Sequence, residues 1–460
     1  FKKGIEDGNN YYSLSQTRSR SAAFFANATY SYKGRYTVNG TARYEGTNRM
    51  GKSRSARWLP TWNVSGAWNA HEEKFFSNLT SVLSHFTLKA SYSLTADRGP
   101  ADVTNSQAII TSYSPYRPFT SIQESGLYIK ELENSELTYE KKHELNIGAD
   151  MGFLNNRINL AVDWYKRNNY DLIGIVNTQG AGGQILKYAN IASMKSHGIE
   201  FTLSTKNIKT KDFNWNTDFI FSNAKNEVTD LKQNANVMEL ISGNGFAKQG
   251  YPVRGLFSIP FVGLDKDGIP VIINEKGEAT STDINFQERQ NTGFLKYEGP
   301  TDPTITGSLG NMFSYKGFRL NLFITYSFGN VIRLNPVFKA YYSDLTAMTR
   351  EFKNRWTLPG DEAKTNVPAI LSKRMYDSNE DLKYAYNAYN YSTERIAKGD
   401  FIRLKEISLA YDFPKAWINP LKLTDLSLKV QATNLFLIYA DDKLNGQDPE
   451  FFNAGGVASP

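Results

Sequence analysis

The sequence predicts an all-β fold, the wall of a transmembrane antiparallel β-barrel. Three observations predict it. Segments of about eleven residues alternate apolar and polar positions, the connections between them alternate short and long, and the second face of each segment is polar. A barrel in lipid needs all three: apolar side chains facing out, short turns at one rim with long loops at the other, and an interior filled by water or a plug.

The segment Phe318 to Phe328 carries the pattern most fully. Phe318, Leu320, Leu322, Ile324, Tyr326 and Phe328 share one face, aliphatic in the middle and aromatic at both ends. Arg319, Asn321, Thr325 and Ser327 share the other, with Phe323 the exception. Steps of about 3.4 Å tilted by about 40° project this length to roughly 26 Å, close to the ~25 Å apolar band of an outer-membrane barrel.

Its companions follow in chain order. Phe24, Ala26, Ala28, Tyr30 and Tyr32 form one face, and Tyr36, Val38, Gly40, Ala42 and Tyr44 the next, opposed by Arg35, Thr37, Asn39, Thr41, Arg43 and Glu45. Trp62, Val64, Gly66 and Trp68 come third. Phe86, Leu88, Ala90, Tyr92 and Leu94 oppose Thr87, Lys89, Ser91, Ser93 and Thr95. Leu145, Ile147, Ala149, Met151 and Phe153 are followed by Ile158, Leu160, Val162 and Trp164, then by Ile199, Phe201 and Leu203. Phe213, Trp215, Phe219 and Phe221 precede a strand near 304–316. Ile407, Leu409, Tyr411 and Phe413, and then Leu426, Leu428, Val430 and Ala432, complete a set of about twelve strands.

Between the strands, Lys33-Gly34-Arg35, Leu154-Asn155-Asn156, 207–211 and Tyr315-Lys316-Gly317 read as short turns. The stretches 46–57, 96–136, 178–186, 231–300 and 332–397 read as long connections, and 70–84 and 414–424 as mid-length members of the short set. Loops beyond ~15 residues are uncommon unless functional. The long set is placed outside the cell, as in outer-membrane barrels.

Composition narrows the classes. The 460 residues include no cysteine, which excludes disulfides and thiolate metal sites. His71, His85, His143 and His197 are far apart in sequence. No apolar run reaches the ~18 residues of a transmembrane helix. The net charge of +7 is spread out, and clusters such as Arg49 to Arg57 read as solvated loop, so no nucleic acid is expected as a partner. Phe1-Lys2-Lys3-Gly4 lacks both Met and an apolar h-region, and the chain reads as an internal or truncated piece of something longer.

Catalytic signals are weak. Glu72-Glu73, Asp361-Glu362 and Asp441-Asp442 are adjacent acids, which diverge on a strand and are solvated on loops. Asp265-Lys266-Asp267-Gly268 fails the EF-hand pattern, because Gly263 would take the first ligand position, and it reads as an Asp-Gly turn. Gly180, Gly182 and Gly183 do not open a helix after a strand, so they make no phosphate cradle. No catalytic residue, metal or cofactor is assigned. Two aromatic loops suit sugar rings, peptide side chains or a partner: Tyr113, Tyr116 and Arg117 in one, and Tyr384, Tyr386 and Tyr389 in the other. Loop packing is the plainer reading of both. Arg157, Asp163, Arg319 and Asn321 are expected to face the lumen, in contact with a plug.

Several segments resemble SusC/RagA-like TonB-dependent transporters of Bacteroidota, in their C-terminal half. Tyr44-Glu45-Gly46-Thr47-Asn48-Arg49-Met50-Gly51 is similar to the family's R-x-D-G-S-S-x-F-G hairpin, with Glu for Asp. Leu59-Pro60-Thr61-Trp62 through Trp68, followed by Glu72-Glu73-Lys74-Phe75-Phe76, resembles a stretch ending E-x-F-F. Leu137 to Lys142, His197-Gly198-Ile199-Glu200, Gly250-Tyr251-Pro252-Val253, Asp265 to Gly268 and Asn354-Arg355-Trp356-Thr357 follow in family order. Phe401-Ile402-Arg403-Leu404-Lys405-Glu406-Ile407-Ser408-Leu409-Ala410-Tyr411, Asn434-Leu435-Phe436 and Gly446-Gln447-Asp448-Pro449-Glu450 complete the match.

The resemblance implies a 22-stranded barrel with an N-terminal plug, of which 1–460 would be the C-terminal portion. The plug, TonB-binding segment, early strands and closing strand would lie elsewhere. It implies residence in the cell outer membrane of a Gram-negative Bacteroidota cell, in contact with outer-membrane lipid and lipopolysaccharide. It also implies import of a bulky nutrient, an oligosaccharide or a peptide, under a SusD-like surface lipoprotein, driven by the TonB complex. One alternative is a SusC-like barrel kept as a scaffold in a multiprotein outer-membrane complex. A second is a soluble glycan-binding β-protein or glycosidase.

Overall fold

Twelve strands hydrogen-bond into one sheet, each to its neighbour in the chain, all antiparallel. This computed structural model describes residues 19–99, 108–113, 126–180, 186–338 and 349–450. The wall strands are β1 Ser21–Tyr32, β2 Tyr36–Thr47, β3 Trp58–Asn69, β4 Leu83–Asp97, β5 Glu140–Phe153, β6 Ile158–Asn177, β7 Leu186–Lys209, β8 Phe213–Leu231, β9 Ile305–Tyr315, β10 Phe318–Phe328, β11 Phe401–Asp412 and β12 Ser427–Ala440. β1 and β12 are the two edges of the sheet.

Register carries the apolar pattern from strand to strand. Phe86 faces Met151, Met151 faces Leu160, and the row continues through Leu203, Phe219, Leu309, Ile324 and Leu404. Because side chains alternate with period two, a slip of one residue anywhere would turn this row inward. Other outward residues, including Val38, Val64, Leu88, Ile147, Trp164 and Ile199, are exposed. So much apolar surface would be a liability in water and suits a bilayer.

The turns explain the tight rim. Lys316 and Gly317 both have positive φ, 43° and 91°, and connect Tyr315 directly to its partner Phe318. That is the two-residue turn whose twist matches a hairpin, and glycine takes its second position without strain. Lys33 and Gly34 also have positive φ, 52° and 71°, here in a three-residue turn between the partners Tyr32 and Tyr36. The wider turn at 70–82 brings two histidines together, with the rings of His71 and His85 centred 4.1 Å apart despite their sequence separation.

β6, β7 and β8, at 20, 19 and 24 residues in the order β6, β8, β7, run well past the segments whose alternation is apolar. Beyond the lipid both faces meet water, so the alternation fades while the ladder continues.

The long loops are structured. Gly255–Ser258 pairs with Lys296–Pro300, Phe261–Leu264 with Pro270–Ile273, and Val331–Arg333 with Ile396–Lys398. Val237, Leu240, Ile241, Phe257, Ile259, Ile272, Leu295 and Ala388 form a shared core. A second cluster joins Ile332, Leu334, Ala397 and Leu444. The connection 232–304 and the described parts of 329–400 thus fold together as a cap on the long-loop side of the wall.

Candidate functional site

The inner face of the wall is built from the positions opposite the apolar row. Thr37, Asn39, Asn63, Ser65, Lys89, Ser91, Asn146 and Asp163 line a hollow of about 440 Å³. Cross-strand pairing places Lys89 opposite Gly148, Gly148 opposite Asp163, and Asp163 opposite Glu200. Gly148 makes the room, since a Cβ there would lie 2.2 Å from the Asp163 carboxylate and 3.4 Å from Lys89 Cε. Lys89 Nζ pairs with Asp150 at 2.8 Å. Hydroxyls, amides and a mixed set of charges give this surface many weak, exchangeable hydrogen bonds and no single tight ligand pocket.

Of the expected lumen residues, Asp163 lines the hollow. Arg319 pairs with Asp412 at 2.9 Å near the short-turn rim, and Asn321 donates to Glu406 at 3.5 Å. Arg157 instead donates to the carbonyls of Lys206 and Asn207, at 3.2 and 3.0 Å, and staples two neighbouring turns.

The aromatic loops divide. Tyr113 is exposed and meets Tyr128 edge-on at 5.6 Å, whereas Tyr116 and Arg117 lie outside the described residues. Tyr384 is exposed beneath Lys383. Tyr386 and Tyr389, candidates for a contact platform with loop packing as the plainer reading, are core residues at 0% and 1% exposure. The cause is a helix, Leu382–Asn390, whose buried face carries Leu382, Ala385, Tyr386 and Tyr389 at i, i+3, i+4 and i+7. Tyr386 packs on Phe338 and Tyr389 on Phe261, and burial pushes the Tyr389 hydroxyl well up from its ordinary value.

Three arginines that sequence reading missed organise the cap and its junction with the wall. Arg333 is fully buried. Its Nη2 donates to Phe257 O at 2.6 Å and to Ser258 Oγ at 3.2 Å, its Nη1 donates to Ser392 O at 3.4 Å, and the Tyr391 ring lies 5.5 Å away. Burial lowers its pKa to about 9. Arg395 pairs with Glu351 and donates to Asn335 O at 2.7 Å. Arg403, on the inner face of β11, pairs with Asp448 and with Glu450, the latter at 2.9 Å. Lys405 joins Glu450 at 2.5 Å from the bulge between Leu404 and Glu406. The signal in the sequence was arginine inside an apolar run, in Val331-Ile332-Arg333-Leu334 and again in Phe401-Ile402-Arg403-Leu404.

On the cap, Glu351, Lys364, Glu394, Arg395, Asp442 and Lys443 surround a second hollow of about 420 Å³. Among the described residues no group of three or more His, Cys, Asp or Glu could hold a metal ion.

A sheet apolar on the outside and polar on the inside, with tight turns at one rim and a folded loop cap at the other, is the wall of a membrane β-barrel. The chain belongs to the TonB dependent receptor-like, beta-barrel family, whose model matches residues 3–435. That is an outer-membrane family. TonB-dependent receptor SusC of Bacteroides thetaiotaomicron is 25% identical over 98% of this chain and 44% of its own length. TonB-dependent receptor P3 of Formosa agariphila is 25% identical over 93% of this chain and 41% of its own. The chain thus spans less than half the length of these curated relatives. Among solved structures, the RagAB peptide transporter superposes with a TM-score of 0.76 at 23% identity, over 97% of this chain and 46% of that one. At that identity the likeness establishes the fold.

Proposed function

We propose that this chain is the wall and loop cap of a SusC-like TonB-dependent transporter that imports a bulky nutrient, an oligosaccharide or a peptide, across the outer membrane of a Bacteroidota cell. The observation that carries the reading is the inner hollow around Asp163 and Lys89, polar on every strand while the outer face is apolar. A cargo rich in hydroxyls or amides exchanges hydrogen bonds along such a surface without being trapped by any one group. Residues 1–460 act as part of a single barrel domain. The Arg319–Asp412 pair and Asn321 lie at the short-turn end, where a plug contacts the wall. The cap, with Tyr384 exposed, and the separate loop that carries the exposed Tyr113 face a SusD-like lipoprotein lid. The TonB complex supplies the energy, and the chain performs no covalent chemistry.

The test is deletion of the gene in its host, followed by uptake of labelled oligosaccharides and peptides. Loss of uptake of one class is expected. Complementation by wild-type protein should restore it, and complementation by the double variant Lys89→Glu, Asp163→Lys should restore it only in part. Unchanged uptake of both classes overturns the reading. If outer-membrane partners then also fail to co-purify as a complex, a scaffold role takes its place.

A further inference from the structure

The motif Glu72-Glu73-Lys74-Phe75-Phe76 has no part in the transport reading, yet its three outer members have sharply different surroundings. The Glu73 carboxylate collects the tips of the girdle. Tyr36 OH donates to it at 2.5 Å, Trp68 Nε1 donates at 3.4 Å, and Arg35 pairs with it at 3.2 Å. Phe76 is buried at 2% exposure and anchors the turn. Phe75 is 60% exposed, with its ring 6.4 Å from that of Trp68.

Trp68 belongs to the apolar outer face of β3 and is paired with Leu88 on β4. Phe75 therefore continues the lipid-facing surface past the last girdle ring. Leu79 and Val82, on the same turn, are also exposed, at 49% and 59%. Cations accompany the rings along this rim. Lys33 lies 5.1 Å from the Tyr32 ring and Lys316 lies 5.4 Å from the Tyr315 ring, both tyrosines being outward. Lys74, next to Phe75, is exposed. Aromatic rings with lysines at their edge match the boundary where acyl chains meet phosphate headgroups.

We infer that the 70–82 turn is a membrane wedge: Phe75, Leu79 and Val82 insert at the acyl–headgroup boundary of the periplasmic leaflet, and the rim lysines meet glycerophospholipid phosphates. Glu73 fixes the wedge by clamping it to two girdle rings. The inference rests on the outer-membrane placement of the wall, and the test separates the two.

The absence of cysteine from this chain allows single nitroxide labels at Phe75→Cys, Val64→Cys and Ser77→Cys. Labels are placed in the full-length protein in phospholipid bilayers, with any cysteines elsewhere in it replaced. Accessibility to oxygen and to a water-soluble nickel complex is then measured by electron paramagnetic resonance. Val64 lies mid-band on the outer face and calibrates lipid, and Ser77, exposed on the turn, calibrates water.

The wedge predicts an oxygen-to-nickel ratio at position 75 several-fold above that at 77 and approaching that at 64. A ratio at 75 equal to that at 77, with 64 in lipid, overturns the wedge and leaves the barrel intact. Exclusion of both reagents at 75 also overturns it, because the ring would then be covered by protein. A water-like value at 64 overturns the membrane placement itself.

Discussion

The wall and the cap bury opposite chemistry. In the wall, apolar side chains point outward, and charged groups such as Lys89 and Asp150 sit on the inner face at 41% and 37% exposure. In the cap, apolar side chains point inward, and Arg333 and Arg395 are buried among them at 2% exposure each. The wall is held by a hydrogen-bonded ladder that barely depends on side-chain identity. The cap has few ladders, and single side chains tie one loop to another. Substitutions in the cap should therefore be costly at particular residues, and those in the wall costly according to depth and face.

The largest effect is expected at Arg333→Ala. Three hydrogen bonds from a charged donor are lost and two carbonyls are left buried, which weakens the cap by about 4 kcal/mol. Hydrogen exchange at Leu256 and Phe257 should accelerate while exchange in β9 and β10 stays unchanged. Arg333→Met, which fills the volume but cannot donate to those carbonyls, should recover only the part of the loss that comes from the cavity. In the wall, Val64→Arg on the lipid face should cost about 3 kcal/mol, read as a lower midpoint in denaturant refolding into bilayers. Equal sensitivity of wall and cap amides in the Arg333 variants would erase the contrast.

Gly268→Ala comes next. Gly268 has φ 74°, and a Cβ there would meet the Trp356 indole at 2.5 Å, so about 2 kcal/mol of cap stability should be lost. The measurement is tryptophan near-ultraviolet dichroism with thermal unfolding. Lys89→Ala should cost under about 1 kcal/mol, since its ion pair is partly solvated. Its effect belongs in uptake rate, not in melting temperature.

The smallest effect is a pH response in the cap. The N–H of Leu358 and both donors of Thr357 hold Asp361 below its ordinary value of 3.8, and the indole N–H of Trp356 holds Glu362 below 4.5. A carboxyl held lower in the fold than in the unfolded chain stabilises above its unfolded value, and that stabilisation is lost as pH falls through the folded one. Exchange at 356–364 should rise between about pH 5 and pH 3.

The same contrast explains what could be read in the sequence. Wall strands announce themselves, because one face meets lipid and the other does not. Val38, Val64 and Ile324 each fell where alternation put them. The upper halves of β6 to β8 gave no such signal, since residues such as Arg167, Lys187 and Lys195 lie above the lipid, where either face tolerates charge. The cap was hidden for another reason. Its core draws on short pieces far apart in sequence, such as Val237–Ile241 and Leu382–Asn390. The capping box of Asn236 and Glu239 was a local clue to the first. The helical spacing of Leu382, Ala385, Tyr386 and Tyr389 was a clue to the second. Asp163 was legible as inward from parity alone. Lys89 followed from the same parity, whereas its place beside Gly148 and Asp163 required knowledge of register.

The tall strands bear on motion. β8 is a 19-residue strand, hydrogen-bonded to β7 from Asn214 beside the lower turn to Leu231 at the root of the cap, with irregularities only near its two ends, at Trp215/Asn216 and Val228/Asp230. At about 3.3 Å per residue it is a rod of roughly 60 Å. Tilting such a rod by about 5° about its foot displaces its top by roughly 5 Å, given that length. Any rotation of the strand about its foot would thus be largest at the cap, so the strand that carries the loop has the geometry of a lever arm.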